Sequence, residues 1–186
     1  MLLRRLLTSG TRVEILTLFL LDPDREHYPR EIERATGGNI NAVRRELRNL
    51  EELGLLSRTA RGNQQVYRVN RDFPLYPELS GLVLKTGGLA VLIRKELEAL
   101  GGISYAFLYG PWAGGGAWTG DPQLFLVGNG DRARYLEALR DLRRRIAREI
   151  RILHLTPAAF RTRLGNGDPE LRNLMEGPKT VIIPLS

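Results

Sequence analysis

The stretch NINAVRRELRNLEELGLL, residues 39–56, determines how the chain is interpreted. At 100° per residue its apolar side chains share one helix face and its polar side chains share the opposite one. The apolar face consists of Ile40, Val43, Leu47 and Leu50. The outer face consists of Asn41, Arg45, Arg48 and Glu52, with Arg44 on the flank. Gly54 follows, and glycine commonly ends helices. The pattern predicts an amphipathic helix over residues 39–53.

The flanking sequence predicts two helices before this one and a hairpin after it. An apolar helix is expected over residues 11–21, and a second begins near Pro29, a residue suited to a first helical turn. Strands are expected over residues 55–60 and 65–69, joined by a turn at 61–64. The order of helix, helix, glycine turn, helix and hairpin is that of a winged helix-turn-helix.

The outer face of the third helix carries side chains of the types that can read DNA. Arginine pairs with the O6 and N7 atoms of guanine, and asparagine pairs with N6 and N7 of adenine. In helix-turn-helix proteins the N-terminal part of this helix meets the base edges. The predicted DNA-binding residues are Asn39, Asn41, Arg44, Arg45 and Arg48 on this helix, Arg30 on the second helix, and Arg58, Arg61, Asn63 and Gln64 on the wing. A solvated charged helix face beside an ordinary hairpin is the alternative.

These residues also carry a family resemblance. The segment PREIERATGGNINAVRRELRNLEELGLLSRTARGNQQVYRVN, residues 29–70, resembles the ArsR/MarR-like winged-helix transcriptional regulators, and LRNLEELGLL is especially typical of them. The resemblance covers about residues 11–72. It implies double-stranded DNA as a partner and a homodimer that reads two half-sites, but it specifies no operator.

Composition sets broader limits. The chain has 186 residues, a formal net charge of +7 and a pI of about 10.2. This charge favours a polyanionic partner, with nucleic acid ahead of an anionic membrane surface. The chain has no cysteine, which excludes disulfides and thiolate metal sites. The start, MLLRRLL, is too short and too interrupted by arginine for a signal peptide. A cytoplasmic protein without a cofactor and without a membrane association is expected.

The second half alternates strands and helices, which predicts a small α/β (α+β) domain. Residues 73–77, FPLYP, predict a junction, so the expected domains are 1–72 and 73–186, the second including two linker helices. Its predicted elements are strands at 103–109, 123–127, 149–155 and 180–184, a long helix at 132–148, and short helices at 157–164 and 169–175. The arginines of the long helix form either an ion-paired solvated face or a second contact with the DNA backbone.

Within this half, GPWAGGGAWTGDPQLFLVG, residues 110–128, resembles the signature of minimal nucleotidyltransferase domains of the polymerase beta superfamily, and the match extends over about residues 73–185. Active members have Gly-Ser, a glycine-rich turn and Asp-x-Asp on the next strand. Here Gly110-Pro111 replaces Gly-Ser, and Asp121-Pro122-Gln123 replaces Asp-x-Asp. A third acid is expected on a later strand, where Glu149 stands at the edge and Arg151 and His154 in the middle.

The departures concern the metal ligands. Nucleotidyl transfer uses cations that carboxylates hold against the attacking and leaving oxygens. Gln123 offers only a neutral carbonyl, and Pro111 has neither a hydroxyl nor a backbone N–H. The sequence therefore predicts a transcriptional regulator whose second domain keeps the fold, has no intact catalytic site and no metal site, and retains Asp121 and Gln123 as vestiges. That domain would serve dimerisation, sensing, or contact with a nucleotide or protein partner.

Two other functions remain open from sequence. One is an active nucleotidyltransferase that modifies protein or RNA and is targeted by its winged helix. The other is an interaction protein that binds DNA without regulating transcription.

Overall fold

The computed structural model describes residues 7–113, 120–146 and 148–185. The chain combines helices with a two-stranded and a four-stranded sheet, which confirms the predicted mixed α/β class. It divides into two compact units, with the division between Gly88 and Leu89. The boundary predicted from sequence, between residues 72 and 73, lies before a helix at 76–83 that packs within the first unit.

The first unit consists of α1 (Gly10–Leu21), α2 (Pro29–Thr36), α3 (Ile40–Glu52), β1 (Leu56–Arg61), β2 (Gln64–Val69) and α4 (Tyr76–Val83). Local signals set the helix boundaries. The Ser9 hydroxyl accepts a hydrogen bond from the Arg12 backbone N–H at the start of α1. Pro29 occupies the first turn of α2, and Gly37, with a φ of 62°, follows its end. These boundaries lie within one or two residues of those expected for the first three helices and the hairpin.

The core of the first unit is built from the predicted apolar face of α3 and from α1. Val43 and Leu47 of α3 are fully buried, as are Val13 and Ile15 of α1 and Ile32 of α2. Burying a side chain of this size contributes about 1.5–3 kcal/mol. The apolar stripe therefore fixes which face of α3 remains open to solvent.

The hairpin is closed by a turn at Gly62, whose φ is 57°. Tyr67 and Val69 lie on one face of β2 and are buried, and Val66 on the other face is buried as well. On its other side β2 is bridged by His27, because each of His27 and Tyr67 donates its backbone N–H to the other's carbonyl at 2.9 Å. The His27 side chain is 1% exposed against the edge of Phe19, and burial lowers its pKa below the ordinary value. The base of the hairpin is thus attached to the helical core, whereas its tip is exposed.

The second unit consists of α5 (Leu89–Leu100), β3 (Ile103–Tyr109), a short 3-10 turn (Gly110–Trp112), β4 (Gln123–Gly128), α6 (Arg132–Ala138), α7 (Arg140–Ile146), β5 (Arg151–Leu155), α8 (Pro157–Gly165), α9 (Pro169–Glu176) and β6 (Lys179–Ile183). The prediction of one continuous helix over residues 132–148 is wrong. The helix breaks at Leu139, which has φ and ψ of −93° and 7°. Tyr135, Leu139 and Leu142 are all buried, so the apolar period continues across the break and hides it from sequence.

The four strands of this unit form a mixed sheet in the order β5-β4-β3-β6. β3 is antiparallel to both β4 and β6, whereas β4 and β5 are parallel. On one face, Phe107 and Phe125 stack with ring centroids 4.9 Å apart, and Phe160 of α8 and Leu171 of α9 cover them. The parallel pairing places the starts of β4 and β5 side by side, and Gln123 and Arg151 are partners there.

Candidate nucleic-acid interface

The outer face of α3, the start of α2 and the wing surround one groove of the first unit. Its volume is about 640 Å³. The lining residues are Tyr28, Pro29, Arg30, Asn41, Arg44, Arg48, Arg58, Asn63, Gln64, Gln65 and Tyr67. Four of them are arginines and none carries a carboxylate. A concave surface with this lining has the charge and the hydrogen-bond donors that suit a polyanion.

Seven of the ten predicted DNA-binding residues line this groove: Arg30, Asn41, Arg44, Arg48, Arg58, Asn63 and Gln64. The other three lie outside it. Asn39 caps α3, because its Oδ1 accepts a hydrogen bond from the Asn41 backbone N–H at 2.8 Å. Arg61 pairs with Glu26 at 2.7 Å, and Arg45 is exposed on α3. The structure therefore brings together residues from three elements that are separated in sequence.

The arginines of the groove differ in their partners. Arg30 pairs with Glu33 at 3.1 Å, and Arg58 pairs with Glu51 at 2.9 Å. Arg44 and Arg48 are exposed and make no ion pair with any residue that the structure describes. A free guanidinium group presents a planar fork of donors that matches a phosphate or a guanine edge. These two side chains are therefore the strongest candidates for direct contacts.

The groove also holds a tyrosine hydroxyl beside these charges. Tyr67 is 6% exposed, and burial raises its pKa, an effect to which the nearby Glu51 adds. Arg58 and Arg48 act in the opposite direction without reversing it. The hydroxyl is therefore neutral near pH 7, and it offers a hydrogen bond without adding negative charge to the groove.

Sequence reasoning missed one residue that positions α3. The sequence pattern gave Glu46 no role, yet its side chain is only 3% exposed. It accepts hydrogen bonds from the Ser9 hydroxyl and from Arg12 Nε, each at 2.9 Å. Both donors lie at the start of α1, so the contact fixes α3 to α1 from the side opposite the groove. A buried carboxylate on the apolar side of a helix has no signature in a hydrophobic pattern.

Replacing Glu46 with glutamine is expected to lower the free energy of unfolding by about 1–3 kcal/mol at pH 7, because charge-assisted hydrogen bonds are lost. Burial raises the pKa of Glu46, but the bonds from Arg12 and Ser9 outweigh it and hold the pKa below 4.5. A carboxyl whose pKa is lower in the folded chain stabilises fully above its unfolded pKa and loses that contribution as pH falls through its folded pKa. Urea titrations of both proteins from pH 7 to pH 3 measure this. A difference that stays constant over that range contradicts the assignment.

The predicted vestigial site lies at the start of β4. Asp121 Oδ2 accepts a hydrogen bond from Arg151 Nε at 3.0 Å. Arg151 is one of the two residues that occupy the middle of the strand where the family places a third acid, and β5 puts it next to Gln123. Three carboxylates would gather a cation at this point. Here an arginine occupies the position beside the remaining acid and compensates its charge.

The loop before this site also departs from the family signature. Gly110 has a φ of 68°, and a Cβ atom there would lie 3.1 Å from the side-chain amide carbon of Gln123. The Gln123 amide thus fills the space next to the turn. The glycine-rich turn at residues 114–116 lies outside the described residues. Within the described ranges, no three His, Cys, Asp or Glu side chains are grouped so that they could hold a metal ion.

The other two candidates for the third acid position have interaction partners of their own. Glu149 pairs with Arg143. A ring nitrogen of His154 lies 2.9 Å from the Gly128 carbonyl oxygen, and the ring packs against the edge of Tyr135. Within the described residues, neither side chain completes a group of three His, Cys, Asp or Glu side chains with Asp121.

Comparisons of the chain with protein-family models, with curated proteins and with solved structures gave no match. In the described part of the chain, no helix has both the length and the apolar character needed to cross a membrane.

Proposed function

We propose that the protein is a sequence-specific, DNA-binding transcriptional regulator that acts in the cytoplasm as a homodimer. The observation that carries the proposal is the groove of the first unit, whose described lining residues, from α2, α3 and the wing, include four arginines and no carboxylate. Arg44 and Arg48 supply donors without ion-pair partners among the described residues, and Asn41, Asn63 and Gln64 add donors and acceptors for base edges or phosphates.

The position of the unpaired arginines supports DNA rather than a small anion. They lie on the outer face of a 13-residue helix whose other face is anchored in the core. A helix of this kind can enter the major groove with its side chains directed at base edges. The hairpin beside it supplies Arg58 and Asn63 for contacts with the flanking backbone. A small anion would need only one of these elements.

Selection of bound duplexes from a random library tests the proposal directly. We expect enrichment of one sequence with two inverted half-sites about one helical turn apart, because each subunit of a dimer presents one α3. The enriched sequence can then be searched for upstream of genes and compared with a genome-wide map of bound sites. A library that shows no enrichment over the starting pool contradicts sequence-specific binding.

The salt dependence of binding gives a second, independent prediction. Arg30 and Arg58 line the groove at the edges of α3 and are expected to contact a few phosphates per subunit. Each neutralised phosphate adds about 0.9 to the slope of log affinity against log salt, because bound counterions are released. Fluorescence anisotropy with a labelled duplex between low and moderate salt measures this slope. A slope near zero contradicts a DNA-binding role.

We also propose that the second unit is a degenerate nucleotidyltransferase-like domain without catalytic activity, used for dimerisation, sensing or contact with a partner. The pairing of Asp121 with Arg151 supports this, since a carboxylate engaged by a guanidinium group is a poor ligand for a divalent cation. Pro111 and Gln123 remove two further groups on which the reaction depends in active members.

No transfer of nucleotide is expected from any of the four ribonucleoside triphosphates, with magnesium or manganese, to protein or RNA acceptors. Incubation with radiolabelled triphosphates measures this. Gln123→Asp alone should also give no transfer, because Pro111 and Arg151 remain. Labelling that disappears in Asp121→Ala would show that the site is active and would favour a targeted nucleotidyltransferase instead.

A further inference from the structure

A second basic pocket lies in the second unit, at the C-terminal part of the arginine-rich segment. Its volume is about 510 Å³, and it is lined by Asp121, Arg140, Arg143, Arg144, Arg148 and Glu149. We infer that this pocket binds the phosphodiester backbone of nucleic acid without regard to base sequence. The inference does not rest on the reading of an operator by the first unit.

The charge of the pocket favours an anion even though two acids line it. Asp121 is engaged by Arg151 at 3.0 Å, and Glu149 is engaged by Arg143. Each acid therefore has its own compensating arginine. The remaining lining residues, Arg140, Arg144 and Arg148, are all positive.

The present partners of these three arginines are weak competitors for phosphate. Arg140 and Arg144 pair with Glu137 and Asp141, and all four side chains are between 59% and 79% exposed. Ion pairs with this exposure contribute little, because water screens the attraction between their charges. Arg148 donates from Nη1 to the Gly120 carbonyl at 3.0 Å, an acceptor that carries no net charge. A phosphate can therefore replace these partners at little cost in free energy.

The spacing of the arginines suits an extended ligand. Arg140 and Arg144 are one turn apart on α7, which places their Cβ atoms about 5–6 Å from each other, and Arg148 follows beyond the end of the helix. A row of guanidinium groups can bind successive phosphates, each through a fork of two donors. Among the described residues that line the pocket, none has an aromatic or amide side chain, so this lining offers contacts to phosphate rather than to a base.

The test uses the full chain carrying Arg44→Ala and Arg48→Ala, which weakens the contribution of the first unit so that a loss in the second unit is easier to detect. Arg140→Gln, Arg144→Gln and Arg148→Gln are added, and the affinity for labelled duplex DNA of random sequence is measured by anisotropy. We expect a loss of roughly tenfold or more at low salt, and a salt slope lower by about 0.9 for each phosphate contact removed. Arg144→Gln alone should give a smaller loss in the same direction.

A matched control separates this pocket from the general charge of the chain. Arg94→Gln, Arg161→Gln and Arg172→Gln make the same change in charge at exposed positions of the second unit outside the pocket. Equal losses for the two triple variants would overturn the proposal. Single-stranded DNA and duplex RNA serve as further probes, and a loss for any of the three nucleic acids that is specific to the pocket supports it. If only ATP binding responds to the pocket substitutions, the ligand is a nucleotide and the inference is wrong.

Discussion

Replacing Arg44 and Arg48 together with alanine is expected to weaken binding to the selected duplex by about 3 kcal/mol or more, roughly a hundredfold. Both side chains line the groove and lack ion-pair partners among the described residues, so both are free to contact bases. Each lost bidentate contact with a base costs about 1–3 kcal/mol. Binding to random DNA should fall less, because phosphate contacts from the wing and from α2 persist. Anisotropy titrations with the selected duplex and a scrambled one measure both effects.

Two single variants calibrate this expectation. Arg68→Ala removes an exposed arginine from the wing outside the groove, and it should leave the affinity within about twofold of the original. Arg45→Ala tests whether DNA contacts the whole outer face of α3 or only the groove. Arg45 is on the outer face of α3 in the helical projection, yet it does not line the groove. If the double variant keeps full affinity while Arg45→Ala loses it, the DNA-binding surface is assigned to the wrong side of α3.

The first unit was predictable because its signals are local. The apolar repeat of α3 is read within one helix, and Pro29, Gly54 and Gly62 mark boundaries through their own backbone preferences. The position of Glu46 was not predictable, because its partners lie more than thirty residues away at the start of α1. From sequence alone, a carboxylate within a helix is expected to face solvent, because a hydrogen-bond donor that is distant in the sequence cannot be recognised.

The sequence predicted which types of residue form the candidate site, but not which individual residues line it. Periodicity placed Asn41 and Arg48 on the outer face of α3, but it could not show which outer residues meet the wing. Asn39 shows the difference, since its side chain caps the helix and its Oδ1 is already engaged. The choice between capping and binding depends on the backbone just before the helix, which a helical projection does not represent.

In the second unit the sequence showed that Gln123, Arg151 and His154 stand where the resembled domains carry acids, but not what these side chains contact. Arg151 could be seen as a non-acid in the expected strand. Its contact with Asp121 follows only from the parallel register of β4 and β5, which sets Arg151 beside Gln123. Register between strands that are far apart in sequence depends on tertiary packing. The break of the long helix at Leu139 could not be predicted from sequence either, because the buried apolar side chains continue on the same face across it.

Replacing Phe125 with alanine is expected to lower the free energy of unfolding of the second unit by about 3–5 kcal/mol, the usual cost of truncating a buried phenylalanine. Phe125 is fully buried, stacks on Phe107 and packs against Phe160. The change therefore leaves a cavity that α8 can fill only by losing its own contacts with the sheet. Both tryptophans of the chain, Trp112 and Trp118, lie in the second half of the sequence, and Trp112 is buried in this unit, so tryptophan fluorescence during urea unfolding reports on it.

The control for this variant is the neighbouring position in the same row of the sheet. Leu153 on β5 is the register partner of Phe125, but it is 40% exposed. Leu153→Ala removes less buried surface and leaves no enclosed cavity, so its cost should be about 1 kcal/mol or less. The ratio of the two effects tests whether the helices α8 and α9 close over the centre of the sheet and leave its β5 edge uncovered. Equal losses at the two positions would mean that the edge strand is covered as well, and that the sheet has no open side at Leu153.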